Sequence, residues 1–280
     1  MSLGEFLTNV SIIVAVMAVG ALIEVAVPMF VAKPWRDRRN ANLGLTAVSF
    51  VSNWLLASLA ALAAVTFRPT GLLAGLDWPQ WMQTVIGIVI LDFSVGYLSH
   101  RTMHHWPFMW RFHQIHHSDP FVDVTTTYRT HPVETVWRFL FALVPIWALG
   151  LPAQAVMIQR LLQATNGVLE HANVRVWPWL DRALSIVWAT PNVHKIHHSR
   201  KVAEANSNYA NLLTVYDRAL GTYTLAKRAT CVVYGLHNVD QAQASSFRGL
   251  LSMPFQPEPE PRSSDRAVSQ ADAPVRPARA

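Results

Sequence analysis

The chain has 280 residues, 51% of them hydrophobic and only 14% charged; about a quarter charged is usual in soluble domains, so the balance excludes an ordinary soluble enzyme and points to a bilayer protein. A net charge of +6 and a pI near 9.8 do not indicate nucleic acid, because the basic residues sit at the ends of apolar segments and form no stripe interleaved with aromatics. With Cys231 as its only cysteine, the chain has no intrachain disulfide, cysteine zinc motif or iron–sulfur cluster.

The first apolar segment runs from about Val10 to Ala32 and the second from Leu43 to Phe67; each exceeds the roughly 20 residues a helix needs to cross the hydrocarbon. A cleaved signal peptide fits the first poorly, since no Lys or Arg precedes Lys33 and the apolar run is too long. "KPWRDRRN" (33–40) concentrates four basic residues between the two spans. The positive-inside rule puts that loop in the cytoplasm and the N-terminus outside. A third span, about Trp81 to Ser99, returns inward, so the histidines that follow it emerge on the cytoplasmic side.

The fourth apolar region, Trp137 to about Leu162, is interrupted by "LGLP" at 149–152, a helix-breaking combination. It reads either as one kinked span or as a hairpin that re-enters its own face. The hairpin is preferred, because it alone returns His171 and His194–His198 to the side of the earlier histidines. Residues 190–240 then read as a cytosolic cap of short helices and loops. The fold expected is an all-α integral membrane bundle of about four membrane helices, occupying residues 1–250, with a disordered tail at 251–280.

Ten of the twelve histidines fall into His100, His104 and His105, then His113, His116 and His117, then His171, then His194, His197 and His198. On a helix, positions i, i+3 and i+4 lie within an arc of about 100°. "HQIHH" and "HKIHH" therefore each aim three imidazoles one way. His100 and His104 share a face, whereas His105 lies about 140° round from His100 and is the odd one out. Pro107 starts a new helix at a new angle, which can turn the first two groups toward each other.

Neutral imidazole binds Fe, Zn, Cu or Ni, and nine of them exceed the four to six ligands of a single ion. The count asks for two metals. His131 and His237, each alone, read as polar surface. Among the acids near the motifs, Asp92, Asp119, Asp123, Glu134 and Glu170 are candidates for fixing imidazole tautomers. Asp92 is the most suggestive, because 92, 96 and 100 follow one helical face and an acid inside a span is costly without a partner.

"LDFSVGYLSHRTMHH", "WRFHQIHHSD", "RTHPVE", "LEHAN", "TPNVHKIHHSR" and "NYANLLTVYDRALGTY" resemble, in order over residues 85–225, the landmarks of the fatty acid hydroxylase superfamily, also called the sterol desaturase family. The resemblance implies a membrane-bound di-iron oxygenase under a cytosolic cap, using O₂ and an external electron donor to hydroxylate, desaturate or cleave lipid-like substrates. It implies ligation by His100, His104, His113, His116, His117, His171, His194, His197 and His198. Some relatives of that kind carry a further histidine where this chain has Gly167, which leaves room for a water or for Asn166. Asp92, Glu170 and Asn166 are the expected supports of the ligands.

Two iron ions are the expected metals, with zinc an alternative as purified. No dinucleotide-binding GxGxxG motif occurs, so a ferredoxin or a reductase is the expected redox partner. The expected function is O₂-dependent hydroxylation or desaturation of an apolar lipid such as a sterol, fatty acyl or isoprenoid chain. The rival readings are a membrane metal-ion carrier and a di-zinc membrane hydrolase using the same histidines.

Overall fold

The computed structural model describes residues 3–31, 36–73, 75–237 and 239–256. Among them the chain is helical throughout, with two isolated β-bridges and no strand. Lys33 to Trp35 of the basic loop, and the tail from residue 257 onward, lie outside the described residues.

Four helical stretches are long and apolar enough to cross a membrane: Gly4–Ala26, Arg36–Thr70, Gln80–His105 and Pro132–Leu149. The first is α1 (Leu3–Ala26) and the second is mostly α2 (Arg36–Phe67). The third is a continuous rod of α3 (Gln80–Leu91), a π-helical segment (Asp92–Leu98) and α4 (Ser99–His105). The sequence expectation ended α1 at Ala32 and began α2 at Leu43. Both boundaries shift, because apolarity marks what lipid touches whereas helical hydrogen bonding runs on or stops for its own reasons. Beyond Ala26 the chain meets Pro28 and pairs elsewhere: Met29 N–H donates to Asn173 O (3.0 Å) and Arg175 N–H to Val27 O (3.2 Å).

The fourth apolar region is two helices, α6 (Pro132–Leu149) and α7 (Ala153–His171). Gly150 adopts φ 64°, a left-handed conformation that suits a residue without Cβ, and Pro152 precedes the new helix. The start of α6 and the end of α7 both reach the histidine clusters, so the pair is a hairpin. Its turn is held by Leu72 and Leu73, whose N–H groups donate to Ala148 O (3.1 Å) and Leu149 O (3.0 Å). Arg68 Nη1 donates to Gly150 O (2.7 Å).

Inside the bundle α2 presents Ala57, Ala60 and Ala64, all buried, at helical spacing. Small side chains let helices approach closely where apolar burial alone gives little drive. Ala60 and Ala64 pack with Leu91, Val95, Ala142, Ile146, Leu151 and Val156 of the α3 rod, α6, the turn after it and α7. Leu22, Val25, Leu62, Val65, Val144 and Trp147 are exposed on the outside, where lipid would cover them.

α5 (Pro107–His117) starts at its proline after Trp106 leaves the helical region (φ −95°, ψ 112°). The remaining elements are short: α8 (Pro178–Leu184), α9 (Pro191–His197), α10 (Val202–Ala205), α11 (Val215–Ala219), α12 (Gln241–Ala244) and α13 (Phe247–Ser252). Buried Arg38 ties α2 to the segment after α5, its Nη1 donating to Asp119 Oδ2 at 2.8 Å and its Nη2 to Asp123. Arg129, fully buried, donates to Ile115 O (2.8 Å), Asn42 Oδ1 (2.8 Å), Ser118 Oγ (2.7 Å) and Ala244 O (2.8 Å). These contacts give Asp119, Asp123 and Arg129 structural roles: they fix the end of α5 against α2.

A Cβ on Gly71 would lie 2.1 Å from Gly150 N, whereas Gly75 has open space. Forcing backbones apart in a packed site costs about 1–3 kcal/mol. Gly71→Ala is therefore expected to lower the melting temperature in detergent by several degrees, and Gly75→Ala to leave it unchanged; equal melting points for the two variants would refute this account of the turn.

Candidate metal centre

The rod that ends in α4 delivers His100 and His104, α5 delivers His113, His116 and His117, α7 ends at His171, and α9 with the residue after it delivers His194, His197 and His198. Their ligating atoms gather into two sets. His100, His104, His113, His117 and His197 form one, and His116, His171, His194 and His198 the other, with all such atoms within 4.8 Å of one another in each set. The three histidines of each H-x-x-H-H group are thus divided between the sets, i with i+4 and i+3 apart, since i and i+4 lie about 40° apart round the helix whereas i+3 lies about 100° from i+4.

The separations test whether the residues fit an ion. Nε2 of His171, His194 and His198 form a triangle with edges of 3.0, 3.1 and 3.1 Å, and Nε2 of His116 lies 3.0 Å from that of His171. Two ligands at about 2.1 Å from a metal are about 3.0 Å apart at a right angle and about 3.4 Å apart at a tetrahedral angle. The triangle is compact enough for its three nitrogens to reach a single ion, and these residues would hold it.

Protonation gives a second test. His100 Nδ1 is 2.7 Å from Tyr209 O, and His113 Nδ1 is 2.7 Å from Glu134 Oε2. A carbonyl, or a carboxyl group in its ionised form, only accepts, so each Nδ1 then carries the proton and each Nε2 of a neutral ring is a bare lone pair. Those two Nε2 atoms face each other at 3.1 Å. Two lone pairs at that distance repel unless a cation lies between them. The same tautomer follows for His171, whose Nδ1 donates to Gly167 O (2.6 Å), and His197, whose Nδ1 donates to Ser207 O (2.8 Å). Nε2 of His104, His117 and His197 are buried with no hydrogen-bond partner, as atoms reserved for an ion would be.

Outside the spans, burial and the neighbouring imidazoles hold His113, His116, His117, His194 and His198 well below the ordinary histidine value. Burial lowers His171 to about 3 and His197 to about 4. The rings are neutral at physiological pH, the form that binds metal.

The expected supports divide. Glu134 meets His113 Nδ1 and, through Oε1, accepts the N–H of His131 at the start of α6 (3.1 Å). Glu170 Oε2 lies 3.7 Å from His194 Nδ1 while Oε1 accepts from Asn211 Nδ2 (2.6 Å). Asp92 touches none of the histidines: its Oδ2 accepts from Leu213 N at 3.2 Å. The π-helical turn after Asp92 adds residues per turn and breaks the α-helical register that aligned 92 with 100. Asn166 also faces away, accepting from Trp188 Nε1 at 2.5 Å and donating to Asn211 O.

His105 meets the hydroxyl of Tyr209 (3.1 Å) outside both sets, His131 caps α6 by accepting from Val133 N (3.2 Å), and His237 is exposed. Tyr209 and Ser207 act through carbonyls, which no side-chain pattern announces. Their loop is held by Asp217, which accepts from Tyr209 N and Ala210 N, both at 2.9 Å. Beneath the histidines a cavity of about 200 Å³ opens between α1, α2, α6 and α7.

Two outcomes follow. Glu134→Gln keeps the shape but removes the charge that orients His113, and such losses weaken metal binding by about 10–100-fold; a metal titration with unchanged affinity would count against this role. In the metal-free protein, the unfolded chain takes up protons near 6.5 while His197 and His171 resist to about 4 and 3. Stability from these groups is full above 6.5 and is lost as pH falls toward 4, so the melting temperature of chelator-treated protein should fall over that range.

The family model described as Fatty acid hydroxylase matches residues 84–222. An ornithine lipid hydroxylase of Rhizobium tropici is 33% identical over 181 residues, covering 64% of this chain and 52% of that protein. The human alkylglycerol monooxygenase is 29% identical over 171 residues (59% and 35%), and the fatty acid hydroxylase vlmA of a Lecanicillium species 26% identical over 172 (55% and 46%). The chain spans about half or less of the length of these curated relatives. No solved structure matches it. The matched segment contains all nine clustered histidines, and residues 84–222 of the chain are a fatty acid hydroxylase domain.

Proposed function

We propose that the chain is an O₂-dependent di-iron lipid hydroxylase or desaturase. The observation that carries this reading is the closure of nine neutral imidazoles into two adjacent sets, the ligating atoms of each within 4.8 Å of one another. In the first set His100, His104, His113, His117 and His197 would hold one ion, and in the second His116, His171, His194 and His198 the other. The relatives' names as hydroxylases and monooxygenases support oxidation of a lipid. When bound, a pair of iron ions supplies O₂ activation, which redox-inert zinc does not.

The protein's own part is to keep the rings neutral and oriented, through Glu134 and the carbonyls of Tyr209, Gly167 and Ser207, and to hold lipid in the cavity beneath. Hydroxylation places one oxygen atom of O₂ in a C–H bond and releases the other as water, which consumes two electrons and two protons from an external donor. Desaturation removes two hydrogens instead. A ferredoxin or a reductase is the donor proposed. With Arg36, Arg38 and Arg39 at the start of α2, the positive-inside rule favours a cytoplasmic metal site beneath a cap formed by α8 to α13, reachable by such a donor.

The test uses anaerobically purified protein reconstituted with iron. About two irons per chain are expected from the ligand count, with one lost in His197→Ala and one in His198→Ala. Membranes with active protein should contain a lipid heavier by one oxygen or lighter by two hydrogens, absent with His197→Ala. Iron-loaded protein that consumes no O₂ with reductant and any lipid extract would overturn the reading.

A further inference from the structure

The cavity beneath the histidines is lined by two guanidinium groups and several idle polar atoms. Arg138 of α6 and Arg160 of α7 both line it. Arg138 Nη1 donates to Val95 O (3.2 Å) and Arg160 Nη2 to Asn53 Oδ1 (2.6 Å), both neutral acceptors. Among the described residues neither arginine has a carboxylate within 4.0 Å. A cation at membrane depth is costly unless something pairs with it, and it marks a functional site by default.

Three further donors face the same space unused. Trp54 Nε1, Gln163 Nε2 and the Tyr128 hydroxyl are buried without hydrogen-bond partners, and all three residues line the cavity. The acids that line it, Glu134 and Glu170, stand at the histidine end, Glu134 on His113 and Glu170 beside His194 with its Oε2 free of a hydrogen bond; both attract Arg138 through space, but neither pairs with it within 4.0 Å. Arg160, Arg138 beyond salt-bridge distance of either acid, and three idle donors converge on a space that an occupant with negatively charged oxygens would satisfy.

We propose that this cavity binds the oxyanion, a carboxylate or a phosphate, of the lipid substrate between Arg138 and Arg160. The inference rests on the lipid-oxidising reading above and names the class of lipid. Arg138 lies one turn beyond Glu134, about 6 Å along α6, and Arg160 eleven residues before His171, about 16 Å along α7. The anion is thus held a head group's length or a short run of methylenes away from the histidines. A neutral sterol or hydrocarbon would leave both guanidiniums unpaired and is the poorer occupant.

The test is a native mass spectrometry titration of the full-length protein in a neutral detergent. N-oleoylglycine is compared with its methyl ester, and oleoyl lysophosphatidic acid with monoolein. At least one anionic probe is expected to bind tenfold or more tightly than its neutral counterpart, and which pair shows the difference tells carboxylate from phosphate. Arg138→Gln and Arg160→Gln should each reduce that preference to twofold or less, and Arg160→Lys should retain most of it. Equal binding within both pairs by the unaltered protein, or a preference that survives both glutamine variants, overturns the proposal; if those variants do not fold, the comparison on the unaltered protein decides. O₂ consumption on the same iron-loaded preparation separates the two readings. Anion preference without oxidation of any lipid removes the oxygenase reading alone, and oxidation without anion preference removes this one alone.

Discussion

Bare ring nitrogens 3.0–3.1 Å apart repel one another, and the fold holds them there. His100, His113, His171 and His197 each spend the Nδ1 proton on a carbonyl or carboxylate, which turns the lone pair of Nε2 inward. The surroundings are buried, so the repulsion is poorly screened. Only positive charge among those nitrogens makes the arrangement favourable, and the surrounding elements serve to bring the rings together. The hairpin returns His171, the break at Pro107 turns α5 back on α4, and Asp217 holds the loop that offers Tyr209 O.

Rigidity around the site comes from buried polar clamps as well as from apolar packing. Arg38 and Arg129 join α2, the end of α5 and the segment near α12 through Asp119, Asp123 and Asn42. Such clamps break at large cost when one partner is removed, because a buried charge is left alone. Deeper in the bundle, alanines of α2 and the contact of Gly87 with Ala155 bring backbones close, where long side chains would hold them apart. The cavity lies between these two regimes, bounded by rigid walls on the histidine side and by lipid-facing helices on the other.

The charge distribution inside the bundle is uneven for a physical reason. Glu134 and Glu170 are used where neutral imidazoles need a negative neighbour to strengthen their donation to a metal. That use leaves Arg138 and Arg160, among the described residues, without a carboxylate within salt-bridge distance. One cavity therefore has a nitrogen-rich end, the metal centre proposed above, and a stretch that carries two guanidinium groups.

Much of this was legible in the sequence because it follows from helical period and backbone chemistry. Two H-x-x-H-H groups had to present their rings on one side, His105 had to point elsewhere, Pro107 had to restart a helix, and Gly150 with Pro152 had to break one. Nine imidazoles had to exceed a single ion. The supports of those rings were not legible. Asp92 looked aligned with His100 until a π-helical turn shifted the register, and Glu134 earned its contact with His113 only through the approach of α6 to α5. The carbonyls of Tyr209 and Ser207 carry no side-chain signature. Local period determines which residues share a face of their own helix; which atoms face each other across helices is decided by packing, and only the tertiary structure shows it.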